Sequence, residues 1–211
     1  MPKKLWGGRF SKKTDQKVEE FSKSIAVDHV LAECDVIGSL VHVSVLARSG
    51  FVSRNEETAL KKGLSRILSK IQSGKFVYDA DAEDIHTDIQ NALEKEVGDL
   101  VLKLHTARSR NDQVLFDLKL YSKGKIRRIL GLCAGLIDAF SSISARTKDI
   151  FVPGFTHMQH AQIVRLSDYF DTYSGMILRD AERLMLINEK IKLSLGAGAL
   201  AGTPKIGRAH V

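Results

Sequence analysis

Apolar residues recur at intervals of three and four along most of the chain, which is the spacing of one face of an α-helix. The pattern predicts helices over residues 28–49, 53–74 and 84–97, and a glycine stands at or just past the end of each. Ser53, followed three residues later by Glu56, has the composition of a capping box. The first half of the chain is therefore predicted to be a set of ordinary amphipathic helices.

Two much longer apolar stripes follow. Residues 111–148 contain no proline, and their apolar positions form a heptad seam made of Ile126, Ile129, Cys133, Leu136, Phe140 and Ile143. A helix of this length spans about 55 Å. After a break at Pro153, a second stripe covers residues 166–191. Each long helix needs partners along its whole length, so the pattern predicts an all-α fold with a multi-helix bundle. The chain has too few helices to surround them, so we expect other subunits or further chain to supply the rest.

Composition excludes few classes of protein. The 211 residues are 44% hydrophobic, with no uninterrupted apolar run of about 18 residues and no apolar segment at the N-terminus. We therefore expect neither a transmembrane helix nor a signal peptide. Cys34 and Cys133 are expected to be buried free thiols rather than a disulfide or a metal site. The net charge of +7 comes from clusters without interleaved aromatics, which favours a solvated face over nucleic-acid binding, and it would help attract an anionic substrate.

The most unusual segment of the chain is residues 103–114, Lys-Leu-His-Thr-Ala-Arg-Ser-Arg-Asn-Asp-Gln-Val. It lies just before a long helix, where backbone N–H groups and side-chain donors can converge on an anion. The simpler interpretation is a capped helix start with Asn111 or Asp112 as the N-cap. That interpretation leaves Arg108 and Arg110 unexplained, so the segment is predicted to bind an anionic group.

This segment resembles the signature of the argininosuccinate lyase family, within the fumarase/aspartase superfamily. Three further segments in the same order carry the resemblance: Leu-Trp-Gly-Gly-Arg-Phe at 5–10, Glu-Asp-Ile-His at 83–86, and Gly-Phe-Thr-His-Met-Gln-His-Ala-Gln at 154–162. The resemblance covers residues 5–204. It implies a small N-terminal helical domain over 1–110 and, over 111–204, the first long helices of a fumarase/aspartase-type bundle.

The resemblance also implies an activity. Members of the family cleave argininosuccinate into arginine and fumarate by β-elimination, in arginine biosynthesis and the related urea cycle. This chemistry needs a base, donors around a carboxylate that gathers charge, and an acid for the leaving nitrogen. It requires no cofactor and no metal. A cytoplasmic homotetramer is implied, with a small-molecule substrate and no nucleic-acid or membrane partner.

The family's functional residues can be carried over by position. His157 corresponds to a proton-transfer residue, with Thr156 beside it in the same block. Arg110 and Asn111 correspond to the pair that holds the succinate end, and Ser24 and Asp28 to the part that meets the arginine moiety. The remaining predicted substrate-binding residues are Asp84, His86, Thr106, Ser109 and Gln159. His86 has an alternative interpretation as a packing histidine, and Ser24 as a helix cap. His29 and His42 are interpreted as structural.

Two features depart from the family. The mobile G-S-S-x-M-P-x-K-x-N loop, which carries the serine thought to be the base, does not occur in these 211 residues. The chain as given is therefore expected to be inactive alone. Residues 205–211 also depart from the family pattern and are predicted to be a non-native tail. Two alternatives remain: another lyase of the superfamily, or a non-enzymatic, crystallin-like helical protein.

Overall fold

The computed structural model describes residues 15–198 and residue 202. These residues form two compact units, the first built from residues 15–121 with 193–198 and 202, and the second from residues 122–192. The predicted opening block at 5–10 and the predicted tail at 205–211 lie outside the described residues. The predicted domain boundaries at 110 and 204 stay a prediction.

The first unit is helical. Its helices are α1 (Gln16–Ser22), α2 (Ile25–Asp28), α3 (Ala32–Arg48), α4 (Arg54–Gln72), α5 (Ile85–Val97) and the first part of α6 (Arg110–Arg146). Short 3-10 segments cover His29–Leu31 and Gly98–His105. The single helix predicted over 28–49 is therefore α3 preceded by a tighter turn. The predicted helices over 53–74 and 84–97 are confirmed as α4 and α5.

The core of this unit lies where α3 packs against α4 and α5. The apolar stripes predicted for α4 and α5 supply its buried side chains, among them Leu60, Leu64, Ile67, Ile85, Ile89 and Leu93. Complete burial of each such side chain contributes about 1.5–3 kcal/mol relative to exposure. This core holds the N-terminal ends of α5 and α6 in fixed positions, and the polar side chains described below lie at those ends.

Local signals set the helix ends as the sequence predicts. The capping box of α4 is complete, because the Ser53 hydroxyl accepts from Glu56 N at 3.3 Å and the Glu56 carboxylate accepts from Ser53 N at 2.8 Å. Helix α5 ends at Gly98, whose φ of 62° is in the region that favours glycine. The boundaries of these helices thus follow from local chemistry rather than from tertiary context.

The second unit contains a β-hairpin that the sequence pattern did not predict. After the rest of α6, strands β1 (Phe151–Thr156) and β2 (Gln159–Arg165) pair antiparallel and lead into α7 (Leu166–Lys190). Pro153 was interpreted as a simple break, but in a two-stranded ribbon every strand is an edge strand, where proline is tolerated. The predicted all-α class is confirmed, with this hairpin as a local addition.

Large apolar side chains of α6 and α7 are exposed in the second unit. Within the unit, Phe140 of α6 meets Phe170 and Tyr173 of α7, with ring centroids 6.0 and 6.4 Å apart. Other apolar side chains of the two helices face solvent, including Leu132, Leu136, Leu178, Met185 and Leu186. This exposure is what the sequence pattern leads us to expect of bundle helices whose partners are supplied from elsewhere.

The part of the chain that the structure describes contains two helical stretches that are long and apolar enough to cross a membrane, at residues 16–48 and 110–146. They were not expected from the sequence, because the chain has no uninterrupted apolar run of that length. Most of the apolar window in the first is buried in the core of its unit, as in many soluble proteins. The window in the second is 6% buried. The expectation that both cysteines are buried is wrong, because Cys34 and Cys133 are only half-buried.

Candidate functional site

Asp84 and Arg110 form the centre of a polar cluster in the first unit. Asp84 is the N-cap of α5, and its Oδ1 accepts from Thr87 N at 2.7 Å. Its other oxygen, Oδ2, lies 3.1 Å from Nε of Arg110, the first residue of α6. The carboxylate of Asp84 therefore caps the N-terminus of α5 and also holds the guanidinium at the start of α6.

Arg110 is held by two further contacts. Its Nη1 donates to Gln113 Oε1 at 2.9 Å, and its Nη2 donates to Thr87 Oγ1 at 3.2 Å. A guanidinium has five N–H groups, and these contacts together with Asp84 use three of them. The side chain is 30% exposed. Arg110 is thus fixed in direction, while the two N–H groups that none of the residues 15–198 and 202 engages can serve an anionic ligand.

Ser24 and Asp28 join the same cluster. The Ser24 hydroxyl donates to Asp28 Oδ2 at 2.6 Å, and Asp28 Oδ1 accepts from Ile85 N at 3.1 Å. Ser24 N also donates to Glu83 O at 2.8 Å. These bonds join the N-terminal segment to both neighbours of Asp84 along the chain. Ser24 occupies the N-cap position of α2, but its hydroxyl makes no cap hydrogen bond to the helix and serves Asp28 instead.

The segment before α6 adjoins this cluster. The helix begins at Arg110, and Ser109 Oγ accepts from Asn111 N at 3.2 Å. The prediction of Asn111 or Asp112 as the N-cap is therefore wrong, because both lie inside the first turn of the helix. Thr106 contributes its carbonyl oxygen, which lies 3.0 Å from His42 Nε2. His42 is fully buried, in line with its interpretation as structural.

Asp112 connects this segment to residues 195–198. Its Oδ2 accepts from Gly196 N at 3.0 Å and from Ala197 N at 3.1 Å, and Gly198 N donates to Ala107 O at 3.0 Å. Two successive amides on one carboxylate oxygen form a charge-assisted clamp. The clamp ties the start of α6 to a segment that lies more than 80 residues further along the chain.

Beneath the cluster lies a buried ionisable network formed by Asp35, His86 and Asp117. His86 Nδ1 is 3.1 Å from Asp35 Oδ1 and 3.3 Å from Asp117 Oδ2, and all three side chains are 1–2% exposed. Burial raises the pKa of Asp117 to about 10, and the neighbouring Asp35 charge adds to the increase. Burial also acts to raise the pKa of Asp35, but the His86 hydrogen bond and the charges of His86 and Arg108 lower it overall. One carboxyl is thus protonated and the other charged.

Arg108 supplies positive charge to the same interior. It is 9% exposed, and its Nη1 donates to Ser39 Oγ at 2.8 Å. Burial, followed by the charge of Arg108, lowers the pKa of both His42 and His105 to about 4. His105 contacts Gln90 through Nε2. Both rings are therefore neutral at physiological pH and add no positive charge to that of Arg108.

Asp35, His86 and Asp117 are also the residues with the geometry of a metal site. One ligand atom from each lies within 4.8 Å of the others. The donor set is already engaged, however, because Gln113 Nε2 donates to the Asp35 oxygen that faces His86. The Arg108 charge acts on both carboxylates. These features suit an internally neutralised network better than a divalent cation.

The other predicted residues lie in the second unit, at the tip of the hairpin. Thr156 pairs with Gln159, and His157 and Met158 form the two-residue connection between them, with φ values of 51° and 62°. Positive φ at both central residues is the requirement of a type I′ turn, which favours Asn-Gly. His157 is exposed and Met158 is 96% exposed. The turn therefore presents the histidine to solvent on a strained backbone.

Left-handed backbone at non-glycine residues occurs in both predicted segments. Among the described residues, the non-glycine positions with positive φ are Ala107, His157 and Met158. Ala107 lies in the signature segment and the other two in the hairpin. Such outliers persist only where surrounding structure imposes them, and they concentrate at functional sites.

The structure places the eleven predicted residues in two groups. Ser24, Asp28, Asp84 and Arg110 join in one polar cluster, with Thr106, Ser109 and Asn111 in the adjoining segment and His86 in the buried network. Thr156, His157 and Gln159 lie together on the hairpin. Sequence reasoning missed Asp35, Thr87, Gln113 and Asp117. Gln113 lies three residues after Arg110, the spacing that places side chains on one helix face, and this signal could have identified it.

Comparison with known proteins identifies the family of this chain. A family model described as lyase matches residues 8–210, and the chain belongs to this family. The chain is 42% identical over 201 residues to the argininosuccinate lyase of Alkaliphilus metalliredigens and 43% identical over 201 residues to that of Moorella thermoacetica. Both matches cover 95% of this chain, but they cover 44% and 43% of those proteins. The resemblance predicted from four short segments is confirmed.

Solved structures share the fold. An EDDS lyase variant with bound fumarate matches 90% of this chain and 37% of its own, with a TM-score of 0.73 and 20% identity. The fumarate lyase:delta crystallin from Brucella melitensis bound to cobalt matches 91% of this chain and 46% of its own, with a TM-score of 0.68 and 19% identity. The chain thus spans less than half the length of these lyases.

Proposed function

We propose that the complete protein containing this chain is an argininosuccinate lyase, a carbon–nitrogen lyase that forms arginine and fumarate by β-elimination. The observation that carries the proposal is the Arg110 guanidinium, which Asp84, Thr87 and Gln113 hold while two of its N–H groups meet no other residue in the described part of the chain. A guanidinium fixed in this way suits one carboxylate of a dicarboxylic substrate. The names of the curated relatives supply the identity of that substrate.

Opposite charges in the cluster match the two ends of argininosuccinate. Arg110 and the Asn111 amide serve the succinate carboxylates. Asp28, whose carboxylate is held by Ser24 and Ile85 N, serves the guanidinium of the arginine moiety. Thr106 and Ser109, which adjoin the cluster, are proposed to shape the substrate pocket. Gln159, on the hairpin, is also proposed to bind substrate. Asp84 and His86 support the site indirectly. Asp84 holds the Arg110 guanidinium, and His86 fixes α5 against α3 through its contact with Asp35.

His157 is the proposed proton-transfer residue. An imidazole has an unperturbed pKa near neutrality, so it can exchange protons at physiological pH. Elimination needs a proton removed next to a carboxylate and a proton delivered to the leaving nitrogen. Thr156 beside it offers a hydroxyl donor to the substrate. The elimination breaks one C–H and one C–N bond and forms a C=C bond, with the proton passing to a base and another supplied to the leaving nitrogen. There is no net oxidation or reduction, so the proposed reaction requires neither a cofactor nor a metal.

The working protein is proposed to be a cytoplasmic homotetramer with a role in arginine biosynthesis or the urea cycle. The exposed apolar side chains of α6 and α7 support assembly into a larger helical bundle. In such an assembly, neighbouring helices rather than a membrane would cover the exposed apolar window of α6. No nucleic-acid partner is proposed, because the basic residues lie mainly on the polar sides of helices.

The experiment that tests this function is a substrate comparison on the complete protein. Argininosuccinate, adenylosuccinate and malate are each supplied, and fumarate release is followed by its ultraviolet absorbance. We expect the complete protein to turn over argininosuccinate but neither adenylosuccinate nor malate. The isolated 211-residue chain should turn over none of the three. Turnover with another substrate would establish a different lyase of the superfamily. No turnover by a folded, complete protein would favour the crystallin-like alternative.

A further inference from the structure

Gln113 is buried between Arg110 and Asp35, and its amide accepts a hydrogen bond from the first and donates one to the second. Its Oε1 accepts from Arg110 Nη1 at 2.9 Å, while its Nε2 donates to Asp35 Oδ1. The residue is 2% exposed, so water does not replace either bond. A flipped amide would place its NH2 against the guanidinium and its oxygen against the carboxylate. The two charges therefore fix the orientation of the amide.

The carboxylate that receives Gln113 is itself immobilised. Asp35 lies on α3, and the same Oδ1 that accepts from Gln113 lies 3.1 Å from His86 Nδ1 on α5. Gln113 lies one helical turn after Arg110 on α6, so both side chains share a face. A continuous series of polar contacts thus runs from three packed helices to the guanidinium, and Gln113 is the member that touches it.

We propose that Gln113 is a positioning residue that sets the direction of the Arg110 guanidinium. Asp84 alone holds Nε, which leaves the plane of the guanidinium free to turn about that contact. Gln113 at Nη1 and Thr87 at Nη2 remove this freedom. The effect of Gln113 on substrate handling rests on the proposed function, whereas its effect on the conformation of Arg110 does not.

Two substitutions separate positioning from packing. Gln113→Met keeps the length of the side chain and removes both polar ends. Gln113→Glu keeps an acceptor for Arg110, but it can donate to Asp35 only when its carboxyl is protonated. In the complete protein, Gln113→Met is expected to raise KM for argininosuccinate about 10-fold or more, the scale of one lost charge-assisted hydrogen bond. Gln113→Glu is expected to lie closer to wild type at low pH, where its carboxyl can be protonated, and to lose affinity relative to wild type as pH rises.

The matched control is Gln90→Met, which removes another buried glutamine in the same unit whose contact is His105 rather than Arg110. We expect its KM to stay within about twofold of wild type. The decisive comparison repeats Gln113→Met in an Arg110→Ala background, where a residue that acts through Arg110 has nothing left to position. A further KM change below about twofold supports the proposal. The same fold-change in both backgrounds overturns it.

A crystal structure of the complete Gln113→Met protein keeps the two claims apart. If the wild-type protein does not cleave argininosuccinate, the proposed function fails, but the conformation of Arg110 can still be compared. We expect the guanidinium to turn away from its wild-type plane while Asp84 and α6 keep their places. A guanidinium that keeps its Asp84 and Thr87 contacts unchanged would show that Gln113 does not position it.

Discussion

Asp84 uses one carboxylate oxygen to cap helix α5 and the other to pair with the guanidinium of Arg110. Oδ1 accepts from Thr87 N at 2.7 Å and caps α5, while Oδ2 lies 3.1 Å from Arg110 Nε. The geometry of a candidate ligand-binding guanidinium is thereby tied to the start of a helix whose apolar face is buried. The folding of α5 and the orientation of the Arg110 guanidinium are therefore linked through the side chain of Asp84.

This relationship predicts that the two tasks can be separated by substitution. Asp84→Asn keeps an oxygen for the Thr87 amide but loses the negative charge facing Arg110, so we expect stability within about 0.5 kcal/mol of wild type and a KM raised several-fold. Asp84→Ala loses the cap as well and should cost about 1 kcal/mol more. Chemical denaturation and steady-state kinetics of the complete protein measure both. Equal loss of stability in the two variants would contradict the assignment of Oδ1 as the cap.

Asp117 predicts a decline of stability with rising pH. Burial raises the pKa of Asp117 from its ordinary value of 3.8 to about 10. The folded state therefore keeps a proton that the unfolded chain releases above about pH 4. The stabilisation is complete below that pH and is lost progressively as pH rises toward 10, by at most about 1.4 kcal/mol per pH unit.

Asp117→Asn is the matching variant, because an amide mimics the protonated carboxyl at every pH. We expect its stability relative to wild type to increase between pH 6 and 9, measured by denaturant midpoints at each pH. Parallel pH profiles for variant and wild type would show that Asp117 is not protonated in the native protein.

The hairpin turn predicts a stabilising substitution at Met158. Its φ of 62° is unfavourable for any side chain with a Cβ, so Met158→Gly should stabilise the hairpin by about 0.5–1 kcal/mol. Met158→Val, with a branched side chain at the same φ, should weaken it. Native-state hydrogen exchange of the β1 and β2 amides measures this local stability. Slower exchange in the valine variant than in the glycine variant would refute the strained turn.

Asp112 predicts protection of the amides that it clamps. Removal of the carboxylate in Asp112→Ala should accelerate exchange of the Gly196 and Ala197 amides by about 10-fold or more, because both lose a charge-assisted acceptor. Asp99→Ala, at an exposed aspartate of the same unit, is the control and should leave these amides unchanged. Unchanged exchange in Asp112→Ala would mean that the clamp does not form.

Much of this fold could be predicted from the sequence, because its helices are set by local signals. The capping box at Ser53, the stop at Gly98 and the apolar stripe of α5 act within a few residues, so pattern and structure agree. The β-hairpin escaped prediction because its apolar residues are mostly exposed and follow no period. Its register also contains a bulge after Gly154, where an added Cβ would lie 2.9 Å from a Val164 methyl.

The candidate site divides in the same way. Arg110 and Asn111 drew notice because unusual residue types crowd into residues 103–114, and His157 was carried over from the family resemblance; their roles stay a prediction. Asp35 and Asp117 could not be predicted, since each looks like an ordinary polar residue of an amphipathic helix. Their meeting with His86 depends on the packing of α3, α5 and α6, which no local pattern encodes. The side chains proposed to bind substrate are thus easier to predict than those that contact and support them.

The central claim is that Arg110 holds a carboxylate of argininosuccinate in the complete protein. The most direct measurement compares kcat/KM for argininosuccinate between the wild-type protein and Arg110→Ala, with circular dichroism to establish that both are folded. We predict enzyme-like fumarate release by wild type and a loss of roughly 100-fold or more in the variant, because a partly buried anion loses its partner. A folded Arg110→Ala variant with wild-type kcat/KM would contradict the account.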